Sequence, residues 1–180
     1  MDMLNTFNGS FFSEVFPEGW NIERIRSFVS SDPDCICDPQ TFWNPNFKPI
    51  SCNNIEEFGD LMGHEIAFTI RLAQEEGHDL ILILPVGPMG MYKWAVYFLK
   101  EWNVECKHVH GFNMDEWSDK NGNTVPSSSP SAFQYAMENA FYGPLGNLTV
   151  PQNQRNFATK ESLPLYHDKI GALKSEGAKQ

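Results

Sequence analysis

Two strand-like runs, each ending in residues suited to a functional site, decide the fold of this chain. LILIL at residues 80–84 continues into PVGPMG at residues 85–90, and CKHVHGF at residues 106–112 continues into NMDE at residues 113–116. The first run is uninterrupted and apolar, as is typical of a buried parallel strand, and we predict the second run to be a parallel strand of the same sheet. The carboxyl ends of parallel strands meet at one edge of a sheet, where open α/β folds bind ligands. We therefore expect the glycine turn and the carboxylate pair to face one crevice.

The residues between the two runs have the spacing of a helix that packs on a sheet. A strand, a covering helix and a second strand form a βαβ unit, whose crossover is right-handed in nearly all known cases. Its aromatic stripe has the spacing of core packing, which we favour over a cofactor platform. The apolar positions of this stripe are Met91, Trp94, Ala95, Phe98, Leu99 and Trp102.

Four further helices are predicted, and one long loop. Asn54, with Glu57 three residues later, resembles a capping arrangement for a helix that Gly77 ends. We predict an α/β fold, a three-layer Rossmann-like parallel sheet flanked by helices, in a single domain over residues 1–180. The other predicted segments are a helix at 21–30, a loop at 32–52, a helix at 130–141 capped by Ser129, and a helix at 165–175.

The composition excludes several classes of protein. The chain has 180 residues, a formal net charge of −10 and a pI near 4.8. An acidic chain lacks the clustered Lys and Arg of a nucleic-acid surface, and anionic membranes are disfavoured for the same reason. No apolar run is long enough to span a bilayer, and the first residues lack the pattern of a signal peptide. We expect a soluble, cytoplasmic protein that binds neither nucleic acid nor membrane.

The cysteines do not indicate a disulfide framework or a metal site. They lie at positions 35, 37, 52 and 106, and a domain of this size does not depend on disulfides. The one-residue spacing of Cys35 and Cys37 is not that of a zinc site, and no matching Cys or His pair follows. We expect reduced thiols and no bound metal.

The glycine turn has two interpretations. Gly87 and Gly90 fit a sharp turn from strand to helix, which any α/β protein needs. Alternatively, the N-terminus of the following helix offers free N–H groups and a partial positive charge to a phosphate, with Lys93 one turn further along. The turn is neither the GxGxxG fingerprint nor a Walker loop, so both interpretations remain open here.

The carboxylate pair also has two interpretations. Acidic residues directly after a strand often only mark its return to solvent. Here Asp115 and Glu116 lie between Met114 and Trp117, and carboxyl groups partly buried among apolar neighbours are suited to proton transfer. Neighbouring side chains of extended chain point to opposite faces, so we expect one acid to face a substrate and the other to anchor the structure.

These motifs resemble the glucosamine-6-phosphate deaminases (isomerases), which share a fold with the 6-phosphogluconolactonases. Members of this family carry a Pro-Thr-Gly-rich loop after a strand, then a Tyr-Lys pair, then a strand ending in Phe-Asn-Met-Asp-Glu-Tyr. This chain has LPVG at residues 84–87, Tyr92-Lys93, and FNMDEW at residues 112–117. The order and spacing agree over roughly residues 55–175, as judged by eye.

The resemblance implies a reaction and a set of site residues. It implies conversion of glucosamine 6-phosphate into fructose 6-phosphate and ammonia, through an enediol-like intermediate and without a cofactor. Asp115 occupies the position of the base that moves a proton between carbons 1 and 2 of the opened sugar. The glycine loop, with Gly87, Met89 and Gly90, occupies the position that holds the phosphorylated amino sugar.

The chain departs from the family pattern at three points. Val86 stands where the family has Thr or Ser, in a turn about two residues shorter by eye, and Trp117 replaces Tyr. The family's later Asp-Gly-His and Asn-Glu-Pro segments do not occur in this sequence. We therefore expect a truncated domain, the N-terminal half of a longer enzyme with a sheet incomplete at its C-terminus. Negligible deaminase activity is expected for this chain alone.

Two other function classes remain, and homo-oligomerisation is a further expectation. A non-catalytic module that binds sugar phosphates would keep the crevice without the proton relay. A lactonase-type hydrolase would be expected to have Asp-Glu-Arg where this chain has residues 115–117, Asp-Glu-Trp. An incomplete sheet would expose an edge strand, which predicts self-association.

Overall fold

The computed structural model describes residues 50–180, together with Asn21, Glu23, Arg24 and Ser27. Backbone contacts divide the chain into two compact units, Met1–Ser51 and Cys52–Gln180. The single domain over residues 1–180 stays a prediction. Most of the predicted loop at 32–52, including Cys35 and Cys37, lies outside the described residues.

Part of the predicted helix at 21–30 is described. Glu23, Arg24 and Ser27 are helical, and the Oδ1 atom of Asn21 accepts a hydrogen bond of 2.8 Å from the N–H of Arg24. This bond is the usual contact of an N-cap side chain with the first turn of a helix. The remaining residues of this segment lie outside the described ones.

A parallel sheet of three strands forms the centre of Cys52–Gln180. Its strands, in spatial order, are β1 (Leu80–Leu84), β2 (Val109–Asn113) and β3 (Arg155–Asn156). β1 pairs with β2 from Leu80↔Val109 to Leu84↔Asn113. The predicted α/β class with a parallel sheet is confirmed. β2 begins at Val109 and not at Cys106 as predicted, because the N–H of Cys106 bonds to Leu148 and the chain then turns.

Helix α1 (Ile55–Glu76) has the predicted boundaries because the residues predicted to begin and end it do so. Asn54 accepts a hydrogen bond of 2.8 Å from the N–H of Glu57, and the carboxylate of Glu57 accepts bonds from Asn53. Gly77 ends the helix in the left-handed conformation, with φ of 71°.

Helix α2 (Gly90–Glu101) connects β1 to β2 and packs closely against α1. The two backbones touch at Gly63, where an added Cβ would lie 2.4 Å from the Cβ of Trp94 and 2.5 Å from the carbonyl oxygen of Met91. This approach places one side of α2 in the core, as the sequence predicts. Buried members of this core are Ala67, Ile70, Ala73, Leu80, Leu84, Met91, Tyr92, Ala95, Leu99, Val109, Phe141 and Tyr142.

Helix α4 (Tyr166–Ser175) lies on the face of the sheet opposite to α2. Leu80 and Leu84 of β1 pack in the core with α2, whereas Phe112 of β2 contacts Tyr166 at 5.0 Å between ring centroids. Side chains alternate between the two faces of a strand, so these contacts lie on different faces. The layers are therefore helix, sheet and helix, as predicted.

The helix predicted at 130–141 is shorter and differently capped. Helix α3 spans Phe133–Met137 and continues as a π-helical turn over Glu138–Tyr142. Ser129 is not its cap, because its hydroxyl bonds to the hydroxyl of Ser131. The α-helical start lies three residues later than the sequence indicates because the capping group comes from elsewhere in the chain.

The outer side of β1 carries one further backbone pairing. The N–H of Ile81 bonds to the carbonyl of Lys179 at 2.8 Å, and the N–H of Lys179 bonds to the carbonyl of Asp79 at 2.9 Å. Lys179 therefore runs parallel to β1 on the side away from β2. Among the described residues, no helix has the length and apolar character that a membrane span requires.

Candidate functional site

The two predicted site segments leave the sheet side by side. Leu84 and Asn113 are paired as the last residues of β1 and β2, and the N–H of Met114 bonds to the carbonyl of Leu84 at 3.1 Å. The chain then enters the glycine turn after β1 and the acidic segment after β2. Gly87 and Asp115 thus follow neighbouring strands at the carboxyl edge, where open α/β sheets bind ligands.

The glycine turn has a backbone conformation that requires glycine. Gly87 has φ of 113°, which side-chain-bearing residues rarely adopt, and no atom lies within 4 Å of the position of a Cβ there. The turn is tied to α2 because the hydroxyl of Tyr92 donates a hydrogen bond of 2.5 Å to the carbonyl of Pro85. Gly87 therefore leaves open space beside a fixed backbone.

Helix α2 starts at this turn without a side-chain cap. Met89 is its N-cap residue and is partly buried, whereas Gly90 is exposed. An uncapped helix start presents N–H groups and a partial positive charge. The ammonium of Lys93 lies 5.7 Å from the centre of the Trp94 ring.

The two acidic residues after β2 have different environments. The Glu116 carboxylate accepts hydrogen bonds from the backbone N–H groups of Phe133 at 2.9 Å and Gln134 at 2.8 Å, so it caps α3 from a distance in sequence. Asp115 is exposed. Glu116 anchors the structure and Asp115 is open to solvent. This agrees with the expectation that neighbouring side chains of extended chain point to opposite faces.

The partial burial expected around Asp115 is not observed. Met114 and Trp117 are themselves 55% and 57% exposed, so these apolar neighbours point outward and do not cover the carboxylate. The reason is geometric: Glu116 turns inward to reach α3, which leaves the flanking side chains on the solvent side. Access for a ligand is thereby kept open at Asp115.

The different roles of the two acids lead to a stability prediction. Glu116→Ala is expected to lower the free energy of unfolding by about 1–2 kcal/mol, because two N–H groups at the start of α3 lose their acceptor. Asp115→Ala is the matched control and should stay within about 0.5 kcal/mol of wild type. Urea unfolding followed by circular dichroism measures both changes. Equal destabilisation by the two variants would contradict the assignment.

Asn113 is the central polar side chain of this edge, and sequence reasoning missed it. The side chain is buried, and its amide donates hydrogen bonds to the carbonyl of Asn156 at 2.8 Å and the hydroxyl of Tyr142 at 3.4 Å. The hydroxyl of Tyr166 donates a hydrogen bond of 3.0 Å to the backbone carbonyl oxygen of Asn113. Within the described structure, its Oδ1 atom has no hydrogen-bond partner. The sequence did offer one signal for this role, namely a polar residue at the end of a predicted strand.

Three tyrosines from different helices surround this position. Burial raises the pKa of Tyr142 to about 12, and it also raises the pKa of Tyr92 and Tyr166, with nearby Tyr142 acting in the same direction. All three hydroxyls are therefore protonated at neutral pH and can donate hydrogen bonds. They bind the ends of β1 and β2 to the helices on both faces of the sheet.

Two histidines lie at the start of β2, away from the carboxyl edge: His108 precedes the strand and His110 is its second residue. A ring nitrogen of His108 lies 2.9 Å from the carbonyl oxygen of Ile70, and His110 lies 3.6 Å from the carboxylate of Asp79. These contacts agree with structural histidines rather than catalytic ones. In residues 50–180, no three His, Cys, Asp or Glu side chains come together in a metal-binding group.

Comparison with known proteins gives partial matches. No protein-family model matches the sequence. A glucosamine-6-phosphate deaminase from Fusobacterium nucleatum is 32% identical over 97 residues, which are 50% of this chain and 33% of that protein. A glucosamine-6-phosphate deaminase from Caenorhabditis elegans is 34% identical over 74 residues, which are 40% of this chain and 28% of that protein.

The fold is also found in a solved structure. A monomeric glucosamine-6-phosphate deaminase of the NagB superfamily matches with a TM-score of 0.57 and 17% sequence identity, over 74% of this chain and 52% of that one. At this identity the likeness shows the fold. The chain spans about a third of the length of the curated relatives it matches. The family resemblance predicted from the motifs is confirmed at this partial coverage.

Proposed function

We propose that this chain, which is similar to part of the glucosamine-6-phosphate deaminases, binds a phosphorylated amino sugar at the carboxyl edge of its sheet and supplies the base for proton transfer. Asp115 is the proposed base, and Gly87, Met89 and Gly90 form the proposed binding loop. The observation that carries the proposal is the pairing of Leu84 with Asn113, which brings the two loops to one edge.

The proposed chemistry is an aldose–ketose isomerisation followed by loss of ammonia. Asp115 takes the proton from carbon 2 of the opened glucosamine 6-phosphate and returns a proton to carbon 1. The resulting imine at carbon 2 takes up water and releases ammonia, which leaves fructose 6-phosphate. Proton transfer by a positioned carboxylate needs no organic cofactor or metal. An exposed carboxylate beside an open turn is suited to meet such a ligand.

The two loops have different roles in the proposed site. The Gly87 turn leaves open space for a ligand beside a backbone held by Tyr92. The N–H groups of Met91 and Tyr92 bond to the carbonyls of Pro88 and Met89, so the start of α2 supports phosphate binding mainly through its partial positive charge, without the Thr or Ser of related loops. Asp115 approaches from the adjacent strand, with its turn oriented by the buried Asn113 and the capping Glu116.

The experiment isolates the proton-transfer step from ammonia release. Polypeptide 1–180 is incubated with fructose 6-phosphate in D₂O, and deuterium entering carbon 1 is followed by NMR. This half-reaction needs the base but not the Asp-Gly-His segment that the sequence lacks. We expect exchange above the buffer rate, and Asp115→Asn should lower it by about 100-fold or more, the usual contribution of a general base.

The matched control is Asp60→Asn, which changes an exposed aspartate on α1. It should leave both exchange and binding unchanged. Exchange that is equally fast in Asp115→Asn and wild type would remove Asp115 from the mechanism. Binding of the sugar phosphate with no exchange in wild type would favour the non-catalytic binding module.

The remaining expectations stay proposals. We expect polypeptide 1–180 to release little or no ammonia from glucosamine 6-phosphate. Cytoplasmic location is proposed from the similarity to the glucosamine-6-phosphate deaminases. Homo-oligomerisation is proposed because the side chain of Ile83 on β1 is 46% exposed and an exposed apolar surface favours packing against a second copy.

A further inference from the structure

A cleft lies at the carboxyl edge of the sheet, on the side of the acidic segment away from the Gly87 turn. It has a volume of about 220 Å³ and lies between the hairpin at residues 117–125, which follows β2, and the turn at residues 157–165, which follows β3. We propose that this cleft binds a monosaccharide phosphate, with the sugar ring on the indole of Trp117 and the phosphate on the ammonium of Lys160. The choice of a phosphosugar rests on the proposed function, whereas the cleft does not.

Trp117 provides a fixed apolar surface in the cleft. Its indole is 57% exposed, and its ring lies 5.3 Å from that of Phe133 at an interplanar angle of 58°. Leu163 and Pro164 form part of the cleft wall. Aromatic rings bury much area at little cost in conformational entropy, and the C–H groups of a sugar pack well on them. A large exposed indole supported by Phe133 is therefore suited to hold a sugar ring.

Lys160 provides the positive charge. Its ammonium donates one hydrogen bond of 3.0 Å to the Oδ1 atom of Asn123, and its backbone N–H donates to the hydroxyl of Thr124 at 2.7 Å. An ammonium has three donors, so two remain for an anion. In the part of the chain that the structure describes, Lys160 has no ion pair with a carboxylate.

Two carboxylates of the segment that follows β2 are already engaged. Glu116 lines the cleft, but its oxygens accept bonds from the start of α3. Asp119 accepts bonds from the N–H groups of Asn121 and Asn123 and from the Asn123 side chain, and these bonds lower its pKa. Asp119 is therefore linked to Lys160 through Asn123. The ammonium keeps two of its three donors for a ligand.

The cleft is built from backbone that is already ordered. Ser118 pairs with Thr124 across the hairpin, and the N–H of Thr159 bonds to the Ser162 hydroxyl at 3.1 Å. The Thr124 hydroxyl accepts a bond from Lys160 and keeps its own proton for a sugar oxygen. Ligand pockets of drug-sized molecules measure about 300–1,000 Å³, so this smaller cleft suits one sugar ring. Preformed walls lower the entropic cost of binding.

The test is a titration of ¹⁵N-labelled polypeptide 1–180 with glucosamine 6-phosphate, followed by NMR. The backbone amide of Thr124 reports on the cleft, and that of Gly90 reports on the site at the Gly87 turn. We expect saturable shifts at Thr124. Lys160→Gln should raise the dissociation constant read at Thr124 at least tenfold, and Trp117→Ala should do the same. The matched control Lys120→Gln, in the same hairpin, should leave it unchanged.

Unphosphorylated glucosamine separates the two contacts. Its binding at Thr124 should weaken in Trp117→Ala but not in Lys160→Gln. Shifts at Gly90 without shifts at Thr124 would overturn the cleft and leave the proposed function intact. Shifts at Thr124 alone would support the cleft and contradict sugar binding at the Gly87 turn. Equal affinity at Thr124 in wild type and both variants would also overturn the cleft proposal.

Discussion

Gly63→Leu is expected to prevent helices α1 and α2 from reaching their native packing. A Cβ at this position would lie 2.4 Å from the Cβ of Trp94, 2.5 Å from the Met91 carbonyl oxygen and 2.8 Å from the backbone nitrogen of Ala95. Two of these three atoms belong to the backbone, so no side-chain rotation relieves the clash. We expect the free energy of unfolding to fall by more than about 3 kcal/mol.

The matched control is the same substitution in a different helix. Gly171 lies in α4, and no atom is within 4 Å of the position of its Cβ. Gly171→Leu should raise the free energy of unfolding by about 0.5–1 kcal/mol, because leucine favours the helix more than glycine does. Urea unfolding midpoints measure both variants. Similar midpoints for the two substitutions would show that α1 and α2 are not in contact at Gly63.

Stability is expected to fall steeply between pH 10 and pH 12. Burial raises the pKa of Tyr142 to about 12, whereas an unfolded tyrosine has a pKa near 10. The unfolded chain therefore loses its proton first, and the stabilisation is complete below pH 10 and lost as the pH rises to 12. Two pK units correspond to roughly 3 kcal/mol for Tyr142. Tyr92 and Tyr166 act in the same direction.

Urea unfolding at pH 8, 10 and 11 measures this loss, and phenolate absorbance at equilibrium reports when the buried tyrosines ionise. Tyr142→Phe should flatten the alkaline part of the stability curve, because one of the three ionisations is removed. Tyr97→Phe, which changes a half-exposed ring on α2, should leave the shape of the curve as in wild type. A constant free energy of unfolding up to pH 11.5 would contradict the burial of these hydroxyls.

The elements predicted well are those whose signals are local. Asn54 and Gly77 define both ends of α1, and the apolar run of β1 is unambiguous because strands buried on both faces lack alternation. The right-handed crossover rule then places the ends of β1 and β2 at one edge. Local patterns thus predicted the positions of Gly87 and Asp115 in the fold.

The features that sequence reasoning missed depend on contacts between distant residues. Glu116 caps α3 across 17 positions, so Ser129 offered a nearer but wrong cap. Asn113 reaches Asn156 across 43 positions, and nothing around it in the sequence marks that partner. The exposure of Asp115 follows from the inward turn of Glu116, which spacing alone does not reveal. Long-range hydrogen bonds decided these details.

The pairing of Lys179 with β1 affects how the proposed site at the Gly87 turn can vary in sequence. The chain builds its sheet outward from β1 to β3 and then returns to the opposite flank of β1. The order of the strands therefore reverses at β1, and open α/β sheets bind ligands outside the carboxyl ends of the strands at such a point. Changes in the length or composition of the Gly87 turn are therefore expected to alter the proposed ligand site while the hydrophobic interior beneath it stays the same.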